Sequence, residues 1–190
     1  MKYVLAVDFE TLHPFDTDWW TVGLVMATYP DGHVLDTITF AANRDAPEVP
    51  PNPFWQRNCL AYNFNRNMSQ HSKPVAQVET SVADAIDGLR QRHPELYCIS
   101  DCPETDIPLL NGILHRCGRP PIASRPGGRF RQTICVWSYR LAMKQLKTPI
   151  PRTSGQVSHL LGTLSTPAHV ALTDAAIVLQ KLFNLFDLSQ

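Results

Sequence analysis

Apolar and polar positions change period along this chain, and the changes mark its elements. Residues 3–7 (Tyr3, Val4, Leu5, Ala6, Val7) form a short β-rich apolar run, the pattern of a buried strand. Residues 20–28 and 33–40 predict two more strands. Pro30, Asp31 and Gly32 between them are strong turn formers, so these two read as an antiparallel hairpin. Four prolines at 43–53 forbid regular structure there, and the polar, Asn-rich stretch 54–69 is expected to be helical. Beyond it the period alternates. Val82, Ala85, Ile86 and Leu89 stand at i, i+3, i+4 and i+7, which predicts a helix over 79–92. Residues 96–99 predict a buried strand. A helix over 106–117 carries Ile107, Leu109, Leu110, Ile113 and Leu114 and is stopped by Gly118 and Pro120. A loop at 125–129, a strand at 133–136, helices at 137–147 and 156–161 around a linker at 148–155, and a final helix over about 169–187 complete the chain. A hairpin followed by strand–helix alternation predicts an α/β fold, with a mixed sheet of about five strands and helices on both faces.

Composition narrows the class. A chain of 190 residues with 44% hydrophobic residues is expected to fold as one domain with a full core. No apolar run approaches the ~20 residues that span a bilayer, and the apolar stretch after Lys2 is too short for a signal peptide. No membrane contact is expected. The five cysteines (59, 98, 102, 117 and 135) include no C-x-x-C pair, as expected of idle thiols in a reducing, cytoplasmic setting. Seventeen basic and 17 acidic residues give a formal net charge of zero, which at face value argues against a polyanion partner.

Three short segments carry candidate chemistry. The first strand ends in Asp8, Phe9, Glu10 and Thr11. Strand side chains alternate, so Asp8 and Glu10 project together where the strand is expected to meet solvent. Two adjacent carboxylates repel, and an oxygen-rich pair suits Mg²⁺ or Mn²⁺, although an isolated D-x-E is common as a pair of solvated charges. In the second segment a buried strand runs through Ser100 into a loop with Asp101 and Glu104, then a helix with Asp106 near its start. The carboxyl end of a strand in an open α/β sheet is where ligands collect; Asp106 also fits a bland role as a helix N-cap. In the third, His169 and Asp174 are five apart. That is about 140° around a helix, so they converge only if His169 precedes the helix and Asp174 lies inside it.

In this order and spacing the three segments resemble the DEDDh family of 3′–5′ exonucleases, and the resemblance runs from Asp8 to Asp174. Thr105 stands where that family has an aromatic residue before its third acid, so Asp101 competes with Asp106 for the place, with Asp106 preferred. Trp55 and the run Arg129, Phe130, Arg131, Gln132 resemble a compact bacterial and phage exoribonuclease branch related to RNase AS. The resemblance implies an RNase H-like fold and a metal-dependent 3′–5′ exonuclease. Asp8, Glu10, Asp106 and Asp174 would hold two divalent cations, Mg²⁺ or Mn²⁺, and His169 would be the general base. It places Thr11, Leu12 and His13 beside the terminal nucleotide, and it implies a single-stranded nucleic acid 3′ end as partner and a homodimer as the family-level assembly. A catalytically silent binding subunit of the same fold, and a phosphodiesterase acting on small nucleotides, are the alternatives.

Charge distribution changes the reading of the zero total. Nine basic residues and no acidic one lie between Asp106 and Asp174: Arg116, Arg119, Arg125, Arg129, Arg131, Arg140, Lys144, Lys147 and Arg152. The first forty residues hold six acids and one Lys. A segregated basic block is the expected footprint of a phosphate-binding surface. Arg129 and Arg131 are its candidates beside the site. Trp55, in a polar segment, is a candidate platform for base stacking, while Trp19, Trp20 and Trp137 are expected in the core.

Overall fold

The computed structural model describes residues 2–11, 19–29, 31–43, 72–94, 96–122, 134–135, 159–161, 163 and 171–186. Strands β1 (Lys2–Thr11), β2 (Trp19–Tyr29) and β3 (Val34–Asn43) come first, then β4 (Lys73–Pro74), helix α1 (Val75–Arg92), β5 (Leu96–Ser100), helix α2 (Pro103–Arg116), β6 (Ile134–Cys135) and helix α3 (Ala171–Phe186). The strands form one mixed sheet in the order β4-β3-β2-β1-β5-β6. β1 pairs antiparallel with β2 and parallel with β5, which makes it the strand where the two halves of the sheet meet. The five strands expected are present, and β4 adds a two-residue parallel rung at the β3 edge, too short to leave a periodic signal.

Alternation along β1 divides its side chains between two cores. Leu5, Val7 and Phe9 face α1 and α2, together with Val22, Leu24 and Met26 of β2. Val4 and Ala6 face α3, together with Val25 and Ala27 of β2 and Ile99 of β5. On the α3 side the core is completed by Ala175, Ala176, Val178, Leu179 and Leu182, and each fully buried Leu contributes about 1.5–3 kcal/mol. Helices therefore cover both faces, as the sequence pattern predicts. Trp19 and Trp20 are buried, also as expected. Leu160 and Leu161, within the short helix expected at 156–161, pack against the α3 core.

Boundaries differ from the sequence reading for identifiable reasons. α1 starts at Val75 rather than 79, because buried Val78 and partly buried Val75 extend the apolar stripe one turn back, and Ala83 rather than Ala85 joins it. α2 starts at Pro103 rather than 106. Proline at the first helical position loses nothing by lacking an N–H, and its fixed φ suits a helix start. Pro108 stands inside the second turn of that helix. The hairpin turn is made by Gly32 at φ 71°, and α2 is terminated by Gly118 at φ 68°, both in the left-handed region that glycine enters at no steric cost. Among the described residues no helix is long and apolar enough to cross a membrane.

Candidate metal centre

The α3 face of β1 continues past Val4 and Ala6 into Asp8 and Glu10. Both acids therefore leave the strand toward the helix that carries Asp174. Gly23 brings that helix close. It stands opposite Asp8 in the β1–β2 ladder, and a Cβ placed on it would lie 2.2 Å from the Ala171 carbonyl carbon and 2.3 Å from the Leu172 nitrogen. Only glycine lets the first turn of α3 rest on the sheet at that point. Asp174, in that first turn, is thereby carried to the acids of β1. Asp8, Glu10 and Asp174 each offer an oxygen within 4.8 Å of the others.

Asp106 reaches the same strand end from the opposite side. Phe9 faces α1 and α2, and its backbone N–H donates to Asp106 Oδ1 at 3.1 Å. The Ser100 hydroxyl donates to Asp106 Oδ2, and Ser100 Oγ in turn accepts from the Cys102 N–H at 2.9 Å. The N-cap role considered for Asp106 is thus corrected: Cys102 occupies the N-cap without a side-chain cap bond, and the Asp106 carboxylate is spent on β1 and β5. Asp101 and Asp106 both lie outside the cluster of Asp8, Glu10 and Asp174, and they are placed differently. Asp101 follows β5 on the α3 face and is ion-paired with Lys181 of α3, whereas Asp106 is tied to the backbone of the residue between Asp8 and Glu10.

Electrostatics at this point are costly in the metal-free protein. Burial and then the neighbouring carboxylates of Asp106, Glu10, Asp174 and Asp101 hold the Asp8 carboxyl well above its ordinary range. Glu10 is pushed up to about 8, first by burial and then by Asp174 and Asp106. Asp106 is pushed up to about 7 by burial, against the lowering effect of its bonds from Ser100 and Phe9. Glu10 was expected where the strand meets solvent; it is only 6% exposed, because β1 runs on to Thr11 and the sheet covers it. Its Oε1 is buried without a hydrogen-bond partner among the described residues. A buried, unpartnered carboxylate oxygen amid like charges fits a divalent cation, since hard cations take oxygen ligands and offset the repulsion.

The other expected site residues divide. Thr11 is buried at the last position of β1, where the register with β2 shifts and it pairs with Trp19. His169, Leu12, His13, Trp55, Arg129, Arg131 and Trp137 lie outside the described residues, and with Trp55 and 129–132 goes the basis of the narrower likeness to the RNase AS branch. Arg116 and Arg119, two of the nine basic residues, are ion-paired. Arg116 makes a forked contact to Glu79 of α1 (2.7 Å for the shortest leg), and Arg119 bridges Asp84 and Asp87 at 3.1 and 3.0 Å. Both are committed to α1, on the face of the sheet away from Asp174. Two features of the site escape sequence reasoning. Ser100 has no sequence signal beyond ending a strand. Gly23 has one, since glycine inside a strand interior marks a close approach of backbone.

Sheet order, strand directions and helix placement define the RNase H-like α/β fold, a fold shared with solved exonucleases. The zinc-bound form of E. coli exonuclease I in complex with single-stranded DNA superposes with a TM-score of 0.64 at 16% identity, over 100% of this chain and 41% of that one. Exonuclease I of Methylocaldum szegediense gives 0.67 at 14% identity, over 98% and 41%. The cell-death related nuclease CRN-4 gives 0.62 at 11%, over 99% and 64%. This chain spans about two-fifths of the length of the exonuclease I chains it matches. No family model matches the sequence, and no curated protein does.

Proposed function

We propose that this chain is a DEDDh-type 3′–5′ exonuclease that hydrolyses single-stranded nucleic acid from its 3′ end to nucleoside 5′-monophosphates. The observation that carries the reading is the convergence of Asp8, Glu10 and Asp174 within 4.8 Å, with a buried Glu10 oxygen left without a partner among the described residues. Shared fold with exonucleases, one of them solved with zinc and single-stranded DNA, supports it.

Asp8, Glu10 and Asp174 would hold two divalent cations, Mg²⁺ or Mn²⁺, with Asp106 closing the site from α2. Cations held there would supply an activated water and offset charge on the leaving oxygen. The protein's own residues do the rest. Phe9 and Ser100 hold Asp106 in one orientation, and Gly23 lets α3 deliver Asp174. His169, two positions ahead of the first residue of α3, takes the proton of the attacking water. The bond broken joins phosphorus to the 3′ oxygen of the penultimate nucleotide, and that oxygen leaves as the new 3′ end. Leu12, Trp55, Arg129 and Arg131 are proposed to grip the strand.

A 5′-labelled oligonucleotide incubated with Mg²⁺ or Mn²⁺ tests this, in matched RNA and DNA versions. A ladder shortening from the 3′ end is expected. Equal degradation of a 3′-phosphate-blocked strand, or internal cuts in a circle, would overturn the exonuclease reading.

A further inference from the structure

Thr21 stands directly opposite Glu10 in the antiparallel β1–β2 ladder. Opposed residues of such a pair leave the sheet on the same face, with their Cβ atoms roughly 5 Å apart, and for this pair it is the face that α3 covers. Thr21 is 2% exposed, and among the described residues its Oγ1 has no hydrogen-bond partner. The same is true of Glu10 Oε1 across the ladder. Two buried polar atoms without a partner among the described residues therefore belong to side chains that face each other across the ladder, each an exception to the rule that buried polar groups are paired. Packing alone does not call for threonine here. The other β2 positions on this face are Gly23, Val25, Ala27 and Tyr29, and an isosteric valine would fill the same volume without an unsatisfied hydroxyl.

A hydroxyl donates and accepts, whereas a carboxylate oxygen only accepts. The two do not bond each other, so a single water between them would serve both, since a buried water takes two to four polar partners. Mg²⁺ keeps several waters when protein carboxylates bind it. We propose that Thr21 is a positioning residue of the metal centre: its hydroxyl and Glu10 Oε1 together hold one water of the bound cation's hydration shell, which fixes the Glu10 carboxylate in its ligating orientation. This rests on the metal-dependent reading of the same site and adds a residue to it.

The test is calorimetric titration of Mn²⁺, without nucleic acid, into the full chain and its Thr21→Val, Thr21→Ala and Thr21→Ser variants, with thermal melts to show that each is folded. Outer-shell partners of a metal centre typically contribute tenfold or more in affinity. Thr21→Val and Thr21→Ala are expected to bind Mn²⁺ about tenfold more weakly, and Thr21→Ser within about twofold of the parent. Should Thr21→Val fail to fold, Thr21→Ala reads the same loss. Parent-like affinity in the variants lacking the hydroxyl would overturn the role of Thr21 while leaving the metal centre standing. An equal loss in Thr21→Ser would assign the effect to packing and overturn it too. No Mn²⁺ binding by the parent would instead sink the metal reading, and this proposal with it.

Discussion

The two faces of the sheet spend their charges in opposite ways. Between α1 and α2 the ion pairs join unlike charges: Glu79 with Arg116, and Asp84 and Asp87 with Arg119. On the α3 face Asp101 also pairs with Lys181, but Asp8, Glu10 and Asp174 are gathered into one small volume, like charge against like. The first arrangement costs little and stabilises little, because half-exposed pairs typically contribute 0–1 kcal/mol. The second is held against its own repulsion by the packing of α3 on β1 and β2, with the hydrophobic contacts of Ala175, Val178, Leu179 and Leu182 behind it. A fold that spends core packing on bringing carboxylates together gives up stability at that point for function.

The largest effect is expected where that packing is tightest. Gly23→Ala places a methyl group 2.2 Å from the backbone of Ala171. Backbone cannot move aside as a flexible side chain does, so a loss of about 3 kcal/mol is expected in chemical denaturation, together with loss of Mn²⁺ binding as Asp174 withdraws. A variant as stable as the parent would show that α3 does not rest on β2. Next comes Asp8→Asn, which should cut metal-dependent turnover by more than ~100-fold, beyond what outer-shell changes cost. The same change should raise the melting temperature of the metal-free protein, because one of the crowded charges is gone.

The pH dependence sharpens the contrast further. Glu10 titrates near 4.5 in the unfolded chain and is pushed up to about 8 in the folded one. Between those values the folded state binds more protons than the unfolded state, so metal-free stability falls as pH rises. Its contribution is fully present below about 4.5 and lost as pH passes about 8. Melts in a chelator should show a lower midpoint at pH 8 than at pH 5.5. Added Mg²⁺ should restore stability more at pH 8, where the ligands are ionised and binding to the folded state counts most. The smallest effect is expected on the other face. Arg119→Gln should shift stability by no more than about 1 kcal/mol and leave oligonucleotide affinity and its salt dependence unchanged, since Arg119 is paired with α1.

Much of this was readable from local pattern. Period-2 and period-3.6 runs locate β1, the hairpin, α1, β5, α2 and α3 because each buries one face or both, and burial writes itself into residue spacing. Asp8 and Glu10 share a face by strand alternation alone. What pattern does not carry is pairing between elements distant in sequence. The basic run after Asp106 looked like a surface for phosphates, yet Arg116 and Arg119 meet acids on a helix some 35 positions earlier. Nor does pattern say that Ser100 and the Phe9 N–H would receive the Asp106 carboxylate, since that depends on where α2 lands relative to the end of β1. Glycine 23 lay between: its place in a strand announces a close neighbour, but not which one.

The contact at Gly23 also sets when the centre can come into being. Asp8 and Glu10 are made early in synthesis, but the helix that brings Asp174 belongs to the far end of the described chain, and it docks chiefly on β1 and β2, far earlier in sequence. Pairings of such long range are slow to form, because their loop-closure entropy must be met before the contact repays it. A ribosome-bound chain carrying only the hairpin and the first two helices therefore has no assembled acidic centre. Asp174 therefore joins the acids of β1 only once α3 has emerged and locked against β2.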